Sequence, residues 1–259
     1  MAAPTLAPSL SGNLSPSISD NDDGAAVTYQ SVLGPLVKAM WHSQLGIAKT
    51  DLGGGSWVTD TWTDQIANAV LPAPSGAQRP PYMPDDGIFG GKSVVQTAIT
   101  GSKILFSSTL SGIAASGTRP WLFAYGRFRD SAGTNEFAVG AGGILRSLAV
   151  RDAFGNFAAS DVTTVNVNSG VALNFVPHSM ECWADGTNLN LQLDAVKYSA
   201  AYALDINTAL TNVCVGASCQ YGDAAIGNYS AALIIICSAY PGAATAALIR
   251  SMAAAEFPP

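Results

Sequence analysis

The sequence predicts an all-β protein: one antiparallel β-sandwich with an extended N-terminal arm and a short C-terminal helix. Three observations carry that prediction. Short apolar runs bounded by Gly, Pro, Asn and Asp recur along the chain, the pattern of an antiparallel sandwich. Charged residues are only 12% of 259, and there are 26 glycines, which suits tight turns and a surface of small side chains. The third is the run Leu189-Asn190-Leu191-Gln192-Leu193-Asp194. Its strict alternation sends leucines to a core and amides and carboxylate outward.

The elements follow in order. Residues 1–30 are rich in Pro, Ser, Ala, Asn and Asp without periodicity, and read as an extended arm. Residues 31–259 make the sandwich domain. A short helix fits Tyr29–Leu33, and Leu36–Ser43 is the first strand. Thr50–Gly55 reads as a glycine turn. Ser56–Gln96 is a strand–loop–strand unit, because its glycines free the backbone and its prolines fix φ. Trp57 and Trp62, five residues apart, are expected on opposite faces of a strand. Further strands are Ile104–Phe106, Pro120–Arg129, Glu136–Gly140, Leu145–Arg151 and Val162–Val167. Pro120–Arg129 is apolar on both faces, as a central strand would be. Met180–Ala184 and Leu189–Asp194 form a hairpin around Asp185-Gly186, where a positive φ is tolerated. Val213–Gly216 and Ser230–Ser238 are strands. An alanine-rich helix, Ala244–Phe257, closes the chain with Leu248, Ile249 and Met252 on one side.

The residues Trp62, Asp64 and Asn68, then Arg79, Pro80 and Tyr82, then Gly91, Lys92, Val94 and Val95, stand in a telling order. With the Asp185-Gly186 hairpin and the Val213–Gly216 strand, they resemble the concanavalin A-like lectin/glucanase jelly roll in its laminin-G-like form. Gln96 departs from that pattern, which usually has an arginine there. The resemblance spans roughly Leu36 to Phe257. It implies a concanavalin A-like sandwich and, in glucanases of this fold, a Glu-x-Asp-x-x-Glu set of catalytic carboxylates. The three glutamates here, Glu136, Glu181 and Glu256, have no acid two residues on, and Asp152 and Asp161 have no partner at alternate spacing. Glycoside hydrolysis is therefore not expected, and no catalytic residue is assigned.

Other chemistry is equally thin. A net charge of −6 without a basic run argues against nucleic acid. The start of the sequence lacks a basic and apolar leader pattern, and the run Ala231–Cys237 is too short to span a membrane. A cytosolic place of assembly is expected. Cys182, Cys214 and Cys237 read as buried thiols. Cys214 and Cys219 make a poor zinc pair, and a disulfide is disfavoured in that compartment. His42 reads as a satisfied core or edge histidine and His178 as a strand-entry residue. Asp20, Asp22, Asp23, Asp85 and Asp86 read as solvated turn acids, not calcium ligands. No cofactor and no metal are expected.

Sugar binding uses an exposed aromatic and a few loop polar groups. The candidates are Trp57, Tyr82 and Tyr221. Trp62, Trp121 and Trp183 read as core. Laminin-G-like domains of this plain pattern are similar to ones found in phage structural proteins. On that resemblance the expected function is a non-enzymatic virion structural protein, a phage capsid decoration, head-fibre or tail component. It would be held by its arm to capsid or tail subunits and would form a homo-oligomer. The alternative is a lectin-like adhesion module whose partners are surface glycans.

Overall fold

The computed structural model describes residues 29–107, 119–129, 137–142, 147–153, 155–160, 166–202, 211–217 and 226–259. The chain opens with a short helix, α1 (29–33). Strands β1 (Val37–His42), β2 (Ile47–Gly53), β3 (Ser56–Thr63), β4 (Val70–Pro72), β5 (Pro81–Asp86) and β6 (Lys92–Gln96) follow. Next come β7 (Leu105–Ser107), β8 (Trp121–Phe128), β9 (Phe137–Gly142), β10 (Ser147–Ala153), β11 (Asn156–Ser160) and β12 (Asn166–Ala172). The last strands are β13 (His178–Ala184), β14 (Asn188–Leu193), β15 (Val196–Ala201), β16 (Asn212–Val215) and β17 (Tyr229–Cys237), followed by helix α2 (Ala243–Glu256).

The strands pair antiparallel into two sheets, as the sequence predicts. The larger has 11 strands in the order β15-β14-β13-β8-β17-β6-β5-β3-β2, with β1 also on β17 and β4 also on β3. The smaller has 6, in the order β12-β11-β10-β9-β16-β7. Leu122, Ala124, Met180, Leu191, Ile234 and Ile236 of the larger sheet meet Val139, Val150, Phe157, Val213 and Val215 of the smaller. That is the inner core of the sandwich. The opposite face of the larger sheet makes a second core. Trp121, Phe123, Tyr125, Leu233 and Ile235 pack there against Tyr29 and Leu33 of α1 and Ala246, Ile249, Ala253 and Phe257 at the C-terminal end. Successive residues of β8 and β17 thus enter different cores. Both strands are apolar on both faces because both faces are covered, although the sheet is antiparallel. Each large side chain so buried contributes about 1.5–3 kcal/mol.

Close packing explains one glycine. A Cβ on Gly126 would collide with the Ser230 carbonyl oxygen and the Tyr229 ring and hydroxyl. Only a residue without a side chain lets β8 and β17 approach there. At the hairpin between β13 and β14, Gly186 has φ 96°, as its place after Asp185 predicts.

Several expectations change. Tyr29, within the stretch read as arm, is 1% exposed and belongs to the outer core. Residues 1–28 lie outside the described residues. The Thr50–Gly55 stretch is mostly strand: β2 runs to Gly53, and the turn is confined to Gly54-Gly55. Strands β11 and β15 were not expected. The first reads Asn-Phe-Ala-Ala-Ser, with little β-propensity, and is held by pairing on both sides. The second follows a two-residue turn without glycine, in which Asp194 takes φ 49°. Asp reaches that conformation at modest cost. The amides of β14 do not face water, since Asn190 and Gln192 are buried beside the leucines. On α2 the buried stripe is Ala246, Ile249 and Ala253, and Leu248 is exposed. Alanines on that stripe let the helix lie close to the sheet, which the larger Leu248 would prevent.

Candidate functional site

The site is built where the larger sheet outruns the smaller. Edge strand β7 of the smaller sheet packs against β4, which pairs with the Thr61–Thr63 end of β3. Strand β5 pairs with the other end, at Trp57 and Val58. Trp57 and Tyr82 are direct partners across β3 and β5, so their rings stand side by side. Tyr82 is buried and Trp57 half-buried, both against the inner core. Exposed Lys49 of β2 lays its ammonium over both rings, 5.0 Å from the Trp57 centroid and 4.3 Å from that of Tyr82. Thr59, opposite Lys49, is fully buried with its hydroxyl unpartnered.

Trp57 and Trp62 were expected on opposite faces, but both pack toward the inner core. The cause is a bulge. Thr61 pairs with Ala48 and Thr59 with Lys49, which leaves Asp60 as an extra residue in β3. One extra residue reverses the alternation beyond it. The bulge is fixed chemically: Asp60 accepts a hydrogen bond from Thr50 Oγ1 at 2.7 Å and pairs with Arg79 Nη1 at 2.9 Å. Its carboxyl is held below the ordinary value, foremost by the Arg79 hydrogen bond. Arg79 of the sequence motif therefore braces the platform through Asp60. Asp64 braces the next turn. Its buried carboxylate accepts from the backbone N–H of Met40 (2.6 Å), Ile66 (2.9 Å), Ala67 (2.6 Å) and Ala69 (3.3 Å). Burial pushes its pKa up, and those four donors only partly offset this.

The remaining titratable groups serve as clasps. Glu181 is fully buried and accepts from Trp121 Nε1 at 2.9 Å and from Arg250 of α2. Burial pushes its carboxyl up despite both donors. Glu256 accepts from Tyr29 Oη at 2.9 Å and from His42 Nε2 at 2.7 Å. His42 Nδ1 accepts from the Gln44 N–H at 3.3 Å, which places the imidazole proton on Nε2. Burial would raise Glu256, but the His42 and Tyr29 hydrogen bonds and nearby Lys92 hold it below the ordinary value. His42 is thus a satisfied histidine, as expected. His178 opens β13, also as expected, with Nδ1 on Asp194 Oδ2 at 2.6 Å and Nε2 on Asn174 Oδ1 at 2.7 Å. Asp86, expected to be a solvated acid, is buried and caps the 3-10 turn Gly87–Phe89 by accepting from Ile88 N at 2.9 Å.

Of the three sugar-site candidates, the structure brings Trp57 and Tyr82 together, and Tyr221 lies outside the described residues. Trp62, Trp121 and Trp183 are core. Cys182, Cys214 and Cys237 are buried. Cys219, Glu136 and Asp161 lie outside the described residues. Among the described residues no group of three His, Cys, Asp or Glu could hold a metal ion, and no helix is long and apolar enough to cross a membrane. Lys49 was missed because its strand reads as a glycine turn. The one available signal was the spacing of Ile47, Lys49 and Asp51, which a strand places on one face.

No family model matches the sequence, and the search of curated proteins finds no match. Comparison with solved structures does find similar folds. A GH54 α-L-arabinofuranosidase soaked with a cyclic sulfate inhibitor matches with a TM-score of 0.58 and 9% identity, over 85% of this chain and 59% of that one. An arabinofuranosidase complexed with arabinofuranosyl-α-1,2-xylobiose matches with a TM-score of 0.55 and 9% identity, over the same shares. The chain thus spans 59% of the length of these neighbours. The likeness is one of fold: this chain shares its β-sandwich with glycoside hydrolases.

Proposed function

We propose that this sandwich is a carbohydrate-binding module that holds sugar without cleaving it. The observation that carries the reading is the Trp57–Tyr82 pair, set side by side by strand register at the open end of the larger sheet. A pyranose or furanose ring presents C–H groups on one face and hydroxyls at its rim. The half-exposed indole takes the C–H face. Lys49 supplies three N–H donors to the hydroxyls. In the free protein its ammonium rests on the rings, an arrangement worth about 0.5–1 kcal/mol at an exposed site, so a sugar displaces it readily. The bound state of the arabinofuranosidase neighbour, with its arabinofuranosyl-xylobiose, supports this reading over a purely structural virion role. The virion reading rests on the phage resemblance, the low-charge surface, the missing catalytic set and the arm, and residues 1–28 of that arm lie outside the described residues.

The module is proposed to be non-catalytic because its described glutamates are committed elsewhere, Glu181 to Arg250 and Glu256 to His42 and Tyr29. The test is a glycan array followed by calorimetric titration with arabinofuranosyl-α-1,2-xylobiose and the best array ligand. Saturable binding is expected, without release of shorter sugars. Trp57→Ala should weaken it about tenfold or more, with the far-UV spectrum unchanged. Absence of saturable binding to every arrayed glycan overturns the reading.

A further inference from the structure

On the outer face of the larger sheet, past the apolar core, lies a row of polar side chains. Arg127 of β8 is the register partner of Ser230 of β17, and Ser230 is also the partner of Gln96 of β6. The three therefore stand side by side on one face. Gln96 Nε2 reaches Asp86 Oδ2 of β5 at 3.4 Å.

The row has more donors than acceptors. The Arg127 side chain is 18% exposed, and its guanidinium forms no hydrogen bond among the described residues. Its ion pair with Asp86 is loose, at 3.7 Å from Nη2 to Oδ2. Asp86 is already engaged, with Oδ1 on the Ile88 N–H and Oδ2 on Gln96. Among the described residues, the Arg127 Nε and the hydroxyl of fully buried Ser230 are both without a partner. A guanidinium carries five N–H donors in a fixed fork. Leaving such a group desolvated and unpaired costs more than leaving a neutral donor so. Sheets in folded proteins seldom leave both members of a cross-strand pair unsatisfied.

We propose that Arg127 and Ser230 form a binding site for a small oxyanion, the carboxylate or phosphate group of a ligand. Two oxygens of the ligand take the Arg127 fork, and a further lone pair accepts the Ser230 hydroxyl proton. Gln96 and Asp86 flank the site, and Asp86 steadies the guanidinium through its ion pair. The site lies on the face of the sheet opposite Trp57 and Tyr82, so it stands or falls independently of the sugar platform.

The experiment follows thermal unfolding of the full chain in sodium phosphate, sodium acetate and sodium glucuronate, each against sodium chloride of equal ionic strength. A concentration-dependent rise in Tm is expected with at least one oxyanion, and the three salts separate phosphate from carboxylate chemistry. Titration calorimetry with that oxyanion should show affinity falling about tenfold or more in Ser230→Ala, and saturable binding lost in Arg127→Met. Arg127→Met should still fold in chloride alone, since the ion pair it removes, to Asp86, is a loose one at 3.7 Å. If Arg127→Met does not fold, Ser230→Ala alone decides. No oxyanion-specific rise in Tm means that the row holds only water, and overturns the proposal. An equal rise in the variants places the anion elsewhere, and overturns it too.

Discussion

The two faces of the larger sheet are built differently. Toward the smaller sheet the interface is apolar at its centre, with Leu122, Met180, Leu191, Ile234 and Ile236 meeting Val139, Val150 and Val213. Toward α2 the apolar core is crossed by polar clasps: Glu181 to Arg250, and Glu256 to both His42 and Tyr29. Each sheet is held rigid by its own strand pairings, and the two interlock over a broad apolar face without such a device. A lone helix on a sheet can slide or rotate at little apolar cost, and these polar clasps hold its register. The same contrast runs to the open ends of the two faces, where one presents aromatic rings and the other unpaired donors.

The comparison can be broken at several places, from the largest effect to the smallest. Arg250→Met should cost about 3–5 kcal/mol in urea unfolding, because it leaves the buried Glu181 carboxyl without its partner. The double variant Glu181→Leu/Arg250→Met should recover most of that loss. If it does not, the clasp contributes stability and not only register. Ile236→Ala, on the inner face, should cost about 3 kcal/mol through lost burial and the cavity left behind. No second-site change should rescue it as the double variant does.

Glu256→Gln should cost about 1–2 kcal/mol at neutral pH. The pH dependence separates the two clasps. Glu256 is lowered in the folded state, so its contribution is full above the unfolded value of 4.5 and is lost as pH falls through the folded value. Glu181 is raised, so its ionisation subtracts stability as pH climbs from 4.5 toward the folded value. Urea unfolding from acid to neutral pH should therefore show the gap between wild type and Glu256→Gln widening with pH. The margin of wild type over Glu181→Gln should narrow. Gaps that move together would refute the assignment. Lys49→Ala is the mildest change. It should cost about 0.5–1 kcal/mol of stability and red-shift the Trp57 fluorescence as the ring gains water.

Much of the fold was legible because burial imposes period two. The leucines of β14, the aromatics of β8 and the β-branched run of β17 announce covered strands by themselves. Strands β11 and β15 were illegible for an equally local reason. Alanine and serine in the first, and a turn through Asp194 without glycine in the second, carry little propensity, and pairing with neighbours decides them. At the platform, Trp57 and Tyr82 could be named from residue type. Their adjacency could not, because it depends on the pairing of β3 with β5.

The sequence alone determined that the chain is a β-sandwich closed by a helix, since alternation and turn chemistry act between near neighbours. The tertiary structure alone decided that Asp60 is an extra residue in β3, turning Trp57 to the same side as Trp62. It alone set Arg127 beside Ser230, with the Arg127 Nε and the Ser230 hydroxyl unpartnered among the described residues. Both outcomes depend on which residue of one strand lies opposite which residue of another. That register is settled by contacts summed across whole sheets, and no window of sequence contains it.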